Sequence, residues 1–191
     1  MLVLHCTAKL RSAAYETGSS EVPTHDPLDS WHANFFYLQR RKCVMVVNDR
    51  TLLPVLLFGL RKPQLSNLPA AFTERFCSLL EERKVPDYVV DKVRRLYRRA
   101  HITKTKDRSV AGSLNEFTKE LKWVLADGHL RDPREHISDA DGFLWGRVSL
   151  QLVEFYPAQA LIDVFLARFV ESGRPGLDEA RRVLRIRSRV D

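Results

Sequence analysis

The 191-residue sequence predicts an α+β fold, a small antiparallel β-meander packed against several amphipathic helices. Three observations carry the prediction. Between residues 31 and 60 apolar residues gather in short stretches rich in β-branched and aromatic side chains. Beyond Pro63 the apolar spacing changes to the period of a helix. Apolar residues make up 45% and charged residues 29%, enough to fill a packed core and too balanced for wholesale disorder.

Leu2 to Cys6 reads as a first short strand, with Thr7 placed to cap a short helix through Lys9 and Leu10. Gly18, Ser19, Ser20, Pro23, Pro27 and Ser30 mark residues 16 to 30 as a turn-rich surface loop. Trp31 to Leu38 and Cys43 to Val47 then form two strands across the basic turn Gln39-Arg40-Arg41-Lys42, and a third strand follows Asn48-Asp49-Arg50. The longest apolar stretch, Leu52 to Leu60, falls short of the ~20 residues a bilayer needs and reads as a buried strand.

Leu68, Phe72, Phe76, Leu79 and Leu80 recur at helical spacing, with Ser66 or Asn67 as the cap and Pro69 in the first turn, so a helix runs to about Lys84. A second helix starts near Pro86, with Val89, Val90, Val93, Leu96 and Tyr97 on one side and Arg94, Arg95 and Arg98 on the other. A third carries the stripe Leu114, Phe117, Leu121, Val124 and Leu125. The run Val148 to Phe155 fits strand and helix alike, Pro157 opens a further helix through Phe169, and Ser172-Gly173 ends it. The tail from Arg174 to Asp191 holds six Arg against three acids. Residues 1 to 172 are therefore expected to form one domain and 173 to 191 a basic tail.

Thirty-one Lys and Arg against 24 Asp and Glu leave a net charge of +7 and a field that attracts polyanions. Eight Lys or Arg and one Asp lie between Lys92 and Arg108, a surplus of seven that equals the net charge of the whole chain. Clustered charge of this kind suits phosphate contacts, with Tyr97 and His101 available to stack or donate, although it also describes an ordinary solvated helix face. Cys6, Cys43 and Cys77 are an odd number without a CxxC pair, which indicates neither a disulfide framework nor a structural zinc site. With no targeting segment in view, a cytoplasmic, membrane-free protein is expected.

The stretch Lys104 to Phe117 contains the candidate anion site. Ser113-x-x-Glu116 before an apolar run is a capping-box pattern, which starts the third helix at Ser113 and leaves Arg108 to Gly112 as the loop entering it. Free N–H groups at a helix start beside Gly112 favour an anion, with Lys104, Lys106 and Arg108 adding charge and Ser109, Ser113 and Asn115 adding donors. Alternatively, Asp107 or Ser109 caps a helix that begins one turn earlier. Neither a Walker P-loop nor GxGxxG occurs, and no cofactor is expected. His5 lies in the first strand and His32 in the second. If the strands are neighbours, the two imidazoles converge as acid and base beside a phosphate holder. His129, His136, Asp139 and Asp141 lack the pattern of a metal site.

His5-Cys6-Thr7-Ala8-Lys9-Leu10, Trp31-His32-Ala33-Asn34, the hairpin Arg41 to Thr51 and Asp107 to Asn115 resemble the ordered blocks of a small bacterial family known only as a domain of unknown function. The resemblance covers about residues 1 to 130, leaving 131 to 172 as a divergent helical extension. It implies a bacterial origin and one soluble domain holding the named blocks together, and it assigns no catalytic role. Three functions follow as expectations: a module that binds phosphates of nucleic acid, a metal-independent nuclease or phosphotransferase using His5 or His32, or a component of a toxin–antitoxin or defence pair whose tail docks an acidic protein.

Overall fold

The computed structural model describes residues 1–14, 25–105 and 107–127, together with Ala140, Phe143 and Leu144. The C-terminal run 148–155, the helix after Pro157 and the basic tail lie outside the described residues. Among the described residues five strands form one mixed sheet, so the α+β class holds. They are β1 (Leu2–Cys6), β2 (Ser30–Leu38), β3 (Arg41–Asn48), β4 (Pro54–Leu57) and β5 (Ala100–Lys104), in the order β4-β3-β2-β1-β5.

The expected meander is the β2-β3-β4 part, in which both pairings are antiparallel. The turn between β2 and β3 is tighter than the basic tetrapeptide suggested. Only Gln39 and Arg40 form it, both with positive φ, the two-residue geometry whose twist matches the flanking strands. Arg41 and Lys42 already belong to β3.

The other half of the sheet is parallel. β1 pairs with β2, matching His5 to His32, and with β5, matching His5 to Thr103. β5 corrects the sequence reading, which left this segment inside the basic run. Its sole fully buried residue is Thr103, so an edge strand of mixed polarity carries little period-two signal.

Helices α1 (Ala8–Ala14), α2 (Lys62–Ser66), α3 (Leu68–Glu82), α4 (Asp87–Leu96) and α5 (Arg108–Ala126) complete the described elements. Because side chains alternate across a strand, Leu4 and Cys6 share one sheet face with Trp31 and Ala33, while His5 and His32 point to the other. On the first face Trp31 meets Phe72 and Phe76 of α3 edge-on, with ring centroids 4.8 and 5.2 Å away, and its indole Nε1 donates to the Tyr97 hydroxyl at 3.0 Å. Tyr97 is therefore a buried core residue, as its place on the apolar stripe expects, and its ring is not available to stack on a base. On the opposite face α5 crosses β2 and β3, with the Lys122 ammonium 5.5 Å above the Phe36 ring.

All three cysteines are buried free thiols. Burial pushes Cys6 up to about 12 and Cys77 up to about 11, so both remain protonated at neutral pH.

Candidate functional site

The parallel register brings His5 and His32 together without any help from their sequence neighbours. Their rings stack with centroids 4.7 Å apart and planes 18° from parallel. Asp49, which follows the end of β3, completes the cluster. His32 Nδ1 lies 2.6 Å from Asp49 Oδ1, and His5 Nε2 lies 2.9 Å from Ser30 Oγ and 3.8 Å from Asp49 Oδ2.

Asp49 is held in place by its neighbour. The buried Asn48 side chain donates to the carbonyls of Leu28 and Ser30 and accepts from the backbone N–H groups of Arg50 and Thr51 and from the Thr51 hydroxyl. The Asp49 N–H adds a bond to the Ser30 carbonyl. Two carbonyls of the β2 entry and three donors of the following turn are thereby fixed around one amide, which aims the Asp49 carboxylate at His32.

Sequence reasoning missed Asp49, although a signal existed. Once the hairpin loop is placed at Gln39-Arg40, antiparallel pairing sets Trp31 opposite Asn48 and leaves Asp49 beside the histidine-bearing end of β2.

Seen as a catalytic array, the cluster falls short of a nucleophile–base–orienter relay. Ser30 and Asp49 both approach His5 from its Nε2 side, and His5 Nδ1 is buried away from both. Burial pushes the His5 imidazole below its ordinary value of 6.5 and outweighs the pull of the Asp49 carboxylate, while His32 acts in the same direction as burial. His5 is therefore neutral at neutral pH. Its folded pKa is below its unfolded pKa, so the unfolded chain takes up the proton first. The stability contributed by neutral His5 is complete above the unfolded value and is lost as pH falls through 6.5 toward the folded one. Urea unfolding at roughly pH 7.5 and 5.5 is expected to show lower stability in acid, with a smaller loss in His5→Gln; an unchanged acid loss in the variant assigns it to other groups.

The anion loop differs from its expected form. α5 begins at Arg108, because the Asp107 carboxylate caps it by accepting from Ser109 N–H at 2.7 Å and Val110 N–H at 3.1 Å. The earlier start puts Val110 on the buried stripe with Leu114, Phe117 and Leu121, which rewards the extra turn. Ser113 is thus inside the helix, where its hydroxyl donates to the Ser109 carbonyl, and Glu116 pairs with Lys119 instead of closing a capping box. Gly112 is exposed, and a Cβ there would meet nothing within 4 Å, so no close approach requires it. Asn115 accepts from the Asn34 amide at 3.3 Å, and Asn34 accepts from the Thr7 hydroxyl at 2.9 Å. One hydrogen-bonded chain therefore links the first, second and fourth sequence blocks.

The basic residues divide into two groups. Arg94 is neutralised, bridging Asp91 at 2.7 Å and Glu81 at 3.0 Å. Arg95, Arg98, Arg99, Lys104 and Arg108 are exposed and have no acidic partner among the described residues. Lys106 is outside the described residues. Among the described residues Arg108 forms no hydrogen bond with either imidazole, so the expected meeting of both histidines with a phosphate holder is seen for the histidines alone. Among the described residues no group of three or more His, Cys, Asp or Glu is arranged to hold a metal ion, and no helix is long and apolar enough to cross a membrane. His129, His136, Asp139 and Asp141 lie outside them.

Residues 3–158 match the family model described as "Domain of unknown function (DUF6933)". The chain belongs to this family. The family match runs past residue 130, where the sequence resemblance ended. No curated protein and no solved structure matches the chain.

Proposed function

We propose that this protein is a binding module that engages the phosphates of nucleic acid along its β5 edge. One observation carries the reading: Arg95, Arg98, Arg99, Lys104 and Arg108 are exposed without acidic partners among the described residues and follow one another through the end of α4, the edge strand β5 and the start of α5. Uncompensated cations along one edge attract a phosphate backbone and release its counterions on binding. Arg98 also lines a cleft between α3 and α4 with Asn67, Thr73 and Ser78, where Glu74 adds a carboxylate to the lining.

The histidine geometry favours binding over cleavage. An acid and a base that act on opposite sides of a phosphorus must leave room for it, whereas His5 and His32 stack directly on one another.

Fluorescence anisotropy of a single-stranded oligonucleotide at roughly 50 to 200 mM salt tests the proposal. Affinity is expected to fall with salt, and each Ala at Arg98, Arg99 or Lys104 to reduce the log–log slope by about 0.7. Salt-independent binding, or none at low ionic strength, would refute it.

A further inference from the structure

We infer that the cleft between α3 and the end of α4 binds a small zwitterion, a molecule that carries one carboxylate and one ammonium group, of the class of free amino acids and short peptides. The inference goes beyond the nucleic-acid reading and does not depend on it.

The cleft has a volume of about 610 Å³, inside the range of about 300 to 1,000 Å³ usual for small-molecule sites. Helical spacing builds its first wall. Asn67, Ala70, Glu74 and Ser78 follow one another at intervals of three or four positions, so they share one face of α3. Arg94 and Arg98, again four positions apart, form the facing wall at the end of α4, with Tyr97 between them. All of these except Tyr97 are exposed or half-exposed, so their side chains are open to a ligand arriving from solvent.

The two walls carry opposite charges that are not spent within the protein. Arg98 has no acidic partner and Glu74 no basic one among the described residues, and although both line one cleft they do not pair with each other. Arg94 differs. Its guanidinium is committed to Asp91 and Glu81, so it shapes the wall without offering free charge. A simple anion entering the cleft meets Glu74, and a simple cation meets Arg98; a ligand bearing both charges satisfies both walls.

The neutral groups give the ligand a direction. Asn67 stands at the N-cap position of α3, yet its side chain makes no capping bond, so its amide and the positive end of the helix dipole are left for a carboxylate. Glu74 lies two turns along the same face, and the Ser78 hydroxyl one turn beyond it can accept from an ammonium group. Ala70, between Asn67 and Glu74, offers a small apolar surface to the carbon atoms that join the two charges. The carboxylate is therefore placed toward Arg98 and the start of α3, and the ammonium toward Glu74.

A heteronuclear NMR titration of the full chain tests this with alanine, dialanine and trialanine, zwitterions of increasing charge separation, beside the N-acetylated and C-amidated form of each. At least one zwitterion is expected to shift the amide signals of Asn67, Glu74, Ser78 and Arg98. Its two blocked forms should bind about tenfold or more weakly, and the wild-type ligand should bind Glu74→Gln and Arg98→Gln more weakly by a similar factor, the loss of one charge-assisted hydrogen bond. Both substitutions are at exposed positions, and an otherwise unchanged spectrum verifies that each variant is folded. Absence of cleft shifts with every zwitterion, blocked forms that bind equally well, or either variant binding as tightly as the wild type overturns the inference. No oligonucleotide enters the assay, so each of these outcomes leaves the nucleic-acid reading where its own titration puts it.

Discussion

Trp31→Ala is expected to lower the unfolding free energy by about 3 to 5 kcal/mol, the range for truncating a large aromatic core residue. Trp31 is fully buried and joins three elements at once. It sits on β2, meets Phe72 and Phe76 of α3 edge-on, and donates its indole N–H to Tyr97 just past the end of α4. Truncation removes the ring contacts, leaves a cavity between the sheet and the helix layer, and strips the donor from a Tyr97 hydroxyl that is 2% exposed as a residue. Trp31→Phe keeps most of the ring and loses the donor, so its cost is smaller. Urea unfolding with an unchanged m-value measures both. A loss below about 1 kcal/mol for Trp31→Ala would show that α3 and α4 are not anchored through this side chain.

Asn48→Ala should cost about 3 kcal/mol, although it removes far less volume. The reason is polar. Asn48 is fully buried and serves five partners, among them two carbonyls and two backbone N–H groups that water does not easily reach. Each buried group left unsatisfied costs about 1 to 3 kcal/mol, and the turn relaxes to recover part of it. The same substitution frees Asp49 from its position beside His32. The His32 Nδ1–H proton resonance is therefore expected to move toward that of an imidazole without a carboxylate partner, which a purely global destabilisation does not produce. An Asn48→Ala variant with near wild-type stability would show that the turn holds itself.

Local signals explain how much was legible beforehand. β2, β3 and β4 were readable because short stretches rich in β-branched and aromatic side chains favour strands and Asn48-Asp49-Arg50 marks a turn. α3 and α4 were readable because their buried residues recur at helical spacing. The start of α5 was misplaced because two overlapping caps, Asp107 and Ser113, compete in sequence, and only the burial of Val110 against the sheet decides between them. Gly112 invited a functional reading that its open surroundings do not support.

The candidate sites show the same division. The concentration of cations between Lys92 and Arg108 could be counted from the chain, but the capture of Arg94 by Glu81, 13 residues away, could not. His5 and His32 were visible as strand histidines; that they stack and that Asp49 meets them depend on which strands are neighbours.

Composition, periodicity and turn chemistry act over a few residues, and these determined the fold class, most of the helices and the basic character of this protein. Parallel pairing joins His5 to His32 and Thr103 across 27 and 98 positions of chain, and no local pattern encodes such a partnership. The packed sheet alone decided where the imidazoles meet, because burial of the opposite, apolar face against α3 and α4 selects that strand order and register.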